Sequence, residues 1–180
     1  MVKKFYYGLV SLKYSYFMFG IPLIIFMIAF MMTKKKTPGL KIAIGICAIA
    51  LLLILVIYYR DKHRVRKALK EVKNIEEYET GGMMDCTYIL KTRILACYDL
   101  KVQEVYIKNI QILEKDGETK KGRIVLKAET TEGDVRMSAR SMEEAQRFVA
   151  FLKHENSNVE LKNITPRGKG TLKELGGTTD

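Results

Sequence analysis

The chain has 180 residues and a formal net charge of +11, from 31 Lys and Arg against 20 Asp and Glu. Residues 1–79 hold +9 of that charge, from 14 basic and five acidic side chains, while residues 80–163 and 164–180 hold +1 each. Nucleic-acid recognition needs a basic face on a folded module, so this distribution argues against nucleic acid as a partner. It fits contact between membrane-flanking segments and anionic lipid.

Two apolar stretches near the N-terminus predict a transmembrane helical hairpin within residues 1–59. Residues 14–32 carry no charge, and residues 40–59 carry only Lys41, at one end. A helix of the first length covers about 28 Å, close to the hydrocarbon thickness of about 30 Å. A cleaved signal peptide is disfavoured because no small-residue cleavage site follows. A buried hairpin is disfavoured because the remaining chain is too short to cover two apolar helices.

Charge counting predicts the orientation of this hairpin. The two outer flanks hold ten Lys and Arg, against four in the connecting loop. The positive-inside rule then places both termini in the cytoplasm, as in a multi-pass protein of the plasma membrane with the lipid bilayer as its first partner. Small residues recur every four positions on the second helix, at Gly39, Ala43 and Cys47. This helix-packing stripe suits contact with the first helix and also a homodimer seam.

The helical period continues through residues 60–79, which predicts a juxtamembrane helix reaching about Glu77. Apolar positions keep three- and four-residue spacing while charges occupy the other face. Either a solvated flank or a surface that docks on anionic lipid has this pattern. The juxtamembrane basic residues are Arg60, Lys62, Arg64, Arg66 and Lys67.

Residues 80–163 predict a small α+β domain. After Gly81-Gly82 the apolar period changes to two, which predicts about five antiparallel strands, the last two (123–130 and 135–139) forming a hairpin. Turns are expected at residues 115–118 and 132–134. A capping box, Ser141 to Glu144, then predicts an amphipathic helix that ends near Asn156. Its expected core stripe comprises Met142, Ala145, Phe148, Val149 and Leu152. Residues 164–180 are rich in Gly, Thr and Lys and are predicted to be disordered.

This order resembles the bacterial pleckstrin-homology-like (PH-like) domains, in which a curved sheet is closed by a C-terminal helix. The resemblance is carried by residues 88–98 (YILKTRILACY), 105–117 (VYIKNIQILEKDG) and 123–152, which run from RIVLK to VAFL. The whole chain looks like small two-span bacterial membrane proteins that carry such a domain after a transmembrane hairpin. The resemblance implies a scaffold for protein or lipid contact and no catalysis.

Residues with catalytic or ligating chemistry are sparse. His63 and His154 have no Cys or carboxylate at metal-ligand spacing. No Gly-rich loop follows a strand and opens a helix, as a nucleotide phosphate site requires. Cys47, Cys86 and Cys97 lie in apolar or strand-like segments and are interpreted as reduced packing residues. We therefore expect no catalytic residue, no metal, no cofactor and no small-molecule substrate.

One basic cluster in the domain is a candidate for anion or headgroup contact, with an ordinary solvated face as the alternative. It comprises Lys120, Lys121, Arg123, Arg136 and Arg140. The leading functional hypothesis is a membrane-anchored, non-catalytic binding or regulatory protein whose cytoplasmic domain contacts a protein or anionic lipid. The alternative is an accessory subunit of a larger membrane complex such as a transporter. An enzyme is the third hypothesis.

Overall fold

The computed structural model describes residues 1–32 and 38–177, and within them the chain forms two compact units. One unit is Lys3–Lys67, and the other is Ala68–Asp180 together with Met1–Val2. The first holds most of two long helices, α1 (Val2–Met32) and α2 (Pro38–Glu71). The second holds eight strands and helix α3 (Met142–Glu155). The architecture is therefore α+β, with a long apolar helix at the N-terminus.

A buried polar contact joins α1 to α2. The Tyr14 hydroxyl donates a hydrogen bond of 2.6 Å to the Asp61 carboxylate, and the Tyr14 and Tyr58 rings meet edge to face at 5.8 Å. Val10 and Tyr6, about one and two turns before Tyr14, are also buried. Helix α2 continues past residue 59, so the predicted helical continuation of the second apolar stretch is present. The helix ends at Glu71, before the expected Glu77, and a 3₁₀ turn follows.

The apolar side chains of both long helices are largely exposed. Among the described residues, the stretch Val2–Ala29 of α1 is long and apolar enough to cross a membrane. Only 6% of the residues in its most apolar part are buried. The second predicted span begins among residues whose side chains are not described. Gly39 and Ala43 of the predicted helix-packing stripe lie outside the described residues in this sense, and Cys47 is half-buried. Exposed apolar residues include Phe17, Phe19, Leu23, Ile24 and Met27 on α1, and Ile46, Ile49, Leu52, Leu53 and Val56 on α2.

Two four-stranded sheets replace the single sheet of about five strands that the sequence predicts. The first sheet is antiparallel in the order β1-β2-β3-β4, and the second has the order β7-β6-β5-β8, with β8 parallel to β5. Strands β1 and β8 have three residues each, too few for an alternating pattern to be recognised. The strands are β1 Gly82–Met84, β2 Thr87–Ile89, β3 Arg93–Tyr98, β4 Lys101–Tyr106, β5 Ile110–Glu118, β6 Ile124–Thr130, β7 Gly133–Ala139 and β8 Glu160–Lys162.

The predicted hairpin of the last two long strands is confirmed as β6–β7. Leu126 lies opposite Met137, and the same register pairs Ile124 with Ala139 and Ala128 with Val135. All six side chains are buried in one core, as the alternating pattern predicts.

Two predicted turns are wrong in position. Residues 115–118 belong to β5, which carries a bulge near Gly117, and the chain turns at residues 119–122. Strand β7 begins at Gly133, so the second turn lies before that residue. The bulge at Gly117 accommodates the turn-favouring Asp-Gly pair, so the strand continues through it.

Helix α3 begins at the predicted cap and covers the core. Ser141 accepts a hydrogen bond from the Glu144 amide, as expected. The second hydrogen bond that a capping box predicts, from the Ser141 backbone amide to the Glu144 carboxylate, is wrong. The Glu144 carboxylate accepts from the backbone amides of Arg140 and Asp85 instead. The stripe Ala145, Phe148, Val149 and Leu152 is fully buried, whereas Met142 is 36% exposed because it lies on the first turn, at the edge of the core. The helix ends at Glu155, and the side-chain amide of the next residue, Asn156, donates to two backbone carbonyls at 2.9 Å.

The predicted disorder of residues 164–180 is wrong over the described part, 164–177. A 3₁₀ turn at Leu172–Leu175 packs beside β1 and α3 and buries Leu172 and Leu175. Gly82 provides the space, because a methyl group there would lie 2.9 Å from the Leu175 Cβ. Two apolar side chains at three-residue spacing are enough to fix this tail, although its composition is that of a loop.

The segment between α2 and β1 forms hydrogen bonds with residues of the first sheet. The compact unit therefore starts before the predicted domain boundary at residue 80. The Arg93 guanidinium donates to the Lys73 carbonyl at 3.0 Å and to Glu104 at 3.2 Å. Tyr78 is fully buried and donates to the same Glu104 carboxylate at 2.9 Å. Burial and the neighbouring Glu104 charge raise the pKa of Tyr78 above its usual range. These contacts explain why the end of α2 folds with the domain.

Candidate functional site

The five residues of the predicted basic cluster do not form one site. Arg123 and Arg140 both approach Asp85, in the turn between β1 and β2, whereas Arg136 pairs with Asp116 at 3.0 Å. Lys120 and Lys121 are exposed in the turn before β6. Arg136 lies on β7 and Arg140 just after its end, but their acidic partners come from the β1–β2 turn and from β5. The sequence pattern therefore identified the basic residues and missed their counter-charges.

Asp85 is the centre of a buried polar cluster, which the sequence analysis did not identify. Its carboxylate accepts a 2.6 Å hydrogen bond from the Ser138 hydroxyl. It also lies 3.1 Å from the Arg123 guanidinium and 3.8 Å from that of Arg140. Its backbone is left-handed, with φ of 47°, a conformation that Asp tolerates better than most residues. The only feature of the sequence that could have indicated this cluster was an Asp before a Cys between two short strands.

The charges around Asp85 balance. Asp85 and Glu144 are acidic, and Arg123 and Arg140 are basic, so the four side chains carry no net formal charge. The Asp85 side chain is 5% exposed, against 47% and 65% for the two arginines. Ion pairs with one exposed member contribute little each, but the buried carboxylate fixes the β1–β2 turn against β7 and α3. This cluster is therefore built to hold the two sheets together.

A second charged region lies at a cleft between the β3–β4 and β6–β7 hairpins. Lys127, on β6, is held between Glu129 at 3.0 Å and Asp134 at 2.9 Å, and both hydrogen bonds raise the pKa of its amino group. Arg136, at the same cleft, faces Asp116 as described above. The cleft has a volume of about 410 Å³ and is lined by Tyr98, Asp99, Lys101, Gln103, Lys127, Asp134, Val135 and Arg136.

Two thiols in this domain are protected by burial. Desolvation raises the pKa of Cys97 to about 12. Desolvation and the neighbouring Asp85 charge together raise the pKa of Cys86 to about 11. Neither thiol is in a disulfide. A thiol with a raised pKa is a poor nucleophile near neutral pH because little thiolate is present.

We expect the folded domain to lose stability as the pH rises above about 9. Unfolded thiols ionise near 9.0, whereas folded Cys97 keeps its proton until about pH 12, so the unfolded state binds fewer protons in this window. Below about pH 9 the contribution of Cys97 to the free energy of unfolding is complete. It falls by roughly 1 kcal/mol for the first pH unit above that value. Urea unfolding of the full chain at pH 8 and pH 10, with and without Cys97→Ala, measures this effect. An equal loss in both proteins would contradict it.

The juxtamembrane basic residues of α2 fall on different faces of the helix. Arg60 lies 3.7 Å from Asp61. Lys62 and Arg66 line a cavity of about 670 Å³ together with Tyr7, Tyr59 and His63. Arg64 and Lys67 are exposed elsewhere on the helix. Among the described residues, no group of three or more His, Cys, Asp and Glu side chains could hold a metal ion.

Comparison of the chain with protein-family models, curated proteins and solved structures finds no match.

Proposed function

We propose that this chain is a membrane-anchored, non-catalytic binding protein. In this proposal α1 and the first part of α2 span the bilayer as a hairpin, with both termini in the cytoplasm. The sheet-and-helix domain, which follows α2 in the chain, contacts anionic lipid or a protein at the plasma membrane.

The observation that carries the proposal is the exposed apolar surface of the two long helices. Phe19 is 78% exposed and Val56 is 65% exposed, on helices without a charge from residue 14 to residue 32 and from residue 42 to residue 59. Soluble monomers rarely expose apolar patches of more than a few hundred Å². In lipid the same side chains are favourably placed, and the helices satisfy their own backbone groups.

The arrangement of the domain supports binding over catalysis. Helix α3 packs on a core shared with both sheets, and this arrangement supports a PH-like scaffold within the proposal. The arginines near Asp85 and Asp116 are engaged in ion pairs that join strands. The thiols are shifted away from the reactive thiolate form. These arginines and thiols stabilise the fold, and in this proposal the domain's outer surface contacts the lipid or protein partner.

Membrane fractionation of the full chain tests the anchoring. We expect the protein to stay in the membrane pellet after alkaline carbonate extraction, and tags at both termini to be cut by protease only in inside-out vesicles. Release by carbonate would refute the anchoring, and cleavage of one tag in right-side-out vesicles would refute the two-span arrangement. A variant with Phe19→Lys and Leu23→Lys on α1 and Leu52→Lys and Val56→Lys on α2, which places charges in both spans, is expected to be released.

An accessory subunit remains a second candidate because the exposed helix faces suit a partner helix as well as lipid. Cys47, half-buried on α2, is the described member of the helix-packing stripe. A pull-down in mild detergent distinguishes the two candidates. A stoichiometric partner supports the accessory subunit, and a lone monomer or homodimer supports the binding protein.

A further inference from the structure

The cavity between α1 and α2 combines basic and aromatic side chains beside the apolar part of the hairpin. Tyr7 contributes from α1, and the remaining lining residues, Tyr59, Lys62, His63 and Arg66, contribute from α2. Their spacing of three, one and three residues places all four on one face of the helix. The volume of about 670 Å³ suits a small polar group such as a lipid headgroup.

The charge of this cavity distinguishes it from the clusters in the domain. None of its five lining side chains is acidic, whereas Arg123, Lys127 and Arg136 each face a carboxylate. Asp61, the nearest acidic residue along α2, is buried against Tyr14. Lys62 contacts the Tyr58 hydroxyl at 3.5 Å, which leaves its positive charge without compensation by an acid. The cavity thus presents the cationic side chains of Lys62 and Arg66 with no acidic side chain in its lining.

The same helix face continues as an apolar surface. Leu52 and Val56, which precede Tyr59 at helical spacing, are 62% and 65% exposed. A ligand that filled the cavity with an anionic group would lie with any attached hydrocarbon along these side chains. Tyr hydroxyls donate hydrogen bonds, and Lys and Arg bind phosphate through charge-assisted hydrogen bonds.

We propose that this cavity binds the phosphate headgroup of one anionic phospholipid, whose acyl chains lie along Leu52 and Val56. The proposal rests on the membrane anchoring proposed above, and it names the lipid class that the chain contacts. A basic pocket between membrane helices near the cytoplasmic surface is suited to such a headgroup.

Native mass spectrometry of the full chain in detergent, with added phosphatidylglycerol, counts the bound lipids. We expect one retained lipid in the wild type and about tenfold weaker retention in Lys62→Gln/Arg66→Gln, since one charge-assisted hydrogen bond is worth at least that factor. Arg64→Gln/Lys67→Gln removes the same charge from the same helix outside the cavity. This matched control is expected to retain the lipid.

Three results would overturn the proposal. Equal loss in the control would mean that only the general basic charge attracts lipid. Unchanged retention in Lys62→Gln/Arg66→Gln would place the lipid elsewhere. Tighter binding of inorganic phosphate than of phosphatidylglycerol would make the cavity a site for free anions. Each of these outcomes is compatible with carbonate-resistant anchoring, so failure of the headgroup site is distinguishable from failure of the anchoring.

Discussion

Replacing Leu172 and Leu175 together with alanine is expected to destabilise the domain by about 4 kcal/mol. Both side chains are buried, at 7% and 6% exposure, against β1 and α3. Truncation of a buried leucine costs about 2–5 kcal/mol, and the lower end of that range applies at the edge of a core. Lys173→Ala, in the same 3₁₀ turn but exposed, is expected to change the stability by less than about 0.5 kcal/mol.

Pulse alkylation of Cys97 in increasing urea measures this loss in a chain that contains no tryptophan. Cys97 is 3% exposed and reacts only after the domain opens. A lower urea midpoint for the double variant, with an unchanged midpoint for Lys173→Ala, is the expected result. Equal midpoints for all three proteins would mean that the tail is not part of the core.

Asp85→Ala is expected to cost about 3 kcal/mol, whereas Asp85→Asn is expected to cost about 1 kcal/mol. Alanine leaves the buried Ser138 hydroxyl without its 2.6 Å acceptor and must also adopt a φ of 47°. Asparagine keeps a carbonyl acceptor and tolerates left-handed backbone. It loses only the ion pairs with two partly exposed arginines, which are worth little.

Amide hydrogen exchange in the β6–β7 hairpin is the suitable measurement here, because Asp85 also raises the pKa of Cys97 and would alter thiol labelling. Faster exchange in Asp85→Ala than in Asp85→Asn is expected. Arg140→Gln, which removes the partner at 3.8 Å, serves as the control and is expected to exchange almost as slowly as the wild type. Identical exchange in the two Asp85 variants would show that charge, and not hydrogen bonding or backbone geometry, dominates this cluster.

Only part of the candidate sites was accessible from the sequence. Lys62 and Arg66 were identified as juxtamembrane basic residues, but their convergence with Tyr7 depends on how α1 packs beside α2. Arg136 and Arg140 were grouped with the basic cluster from the sequence, and the structure places Arg136 on β7 and Arg140 just after its end. Their separation into different ion pairs depends on Asp116 and Asp85, which come from distant positions in the chain.

The sequence by itself determined the elements whose side chains repeat over many residues. The apolar parts of α1 and α2 follow from uncharged length, and the rest of α2, the β6–β7 register and the core face of α3 follow from periodicities of 3.6 or 2. In these elements the local pattern decides which side chains share a face, so no knowledge of distant residues is needed.

Only the tertiary structure decided the two-sheet arrangement, the parallel strand β8, the Asp85 cluster and the docking of the tail. The three-residue strand β8 pairs with the longer β5, and the three-residue β1 pairs with β2, which itself pairs with the longer β3. Leu172 and Leu175 are fixed because Gly82 leaves room beside them. These features depend on contacts between residues far apart in the chain, and a short segment carries no local pattern that reports such a contact.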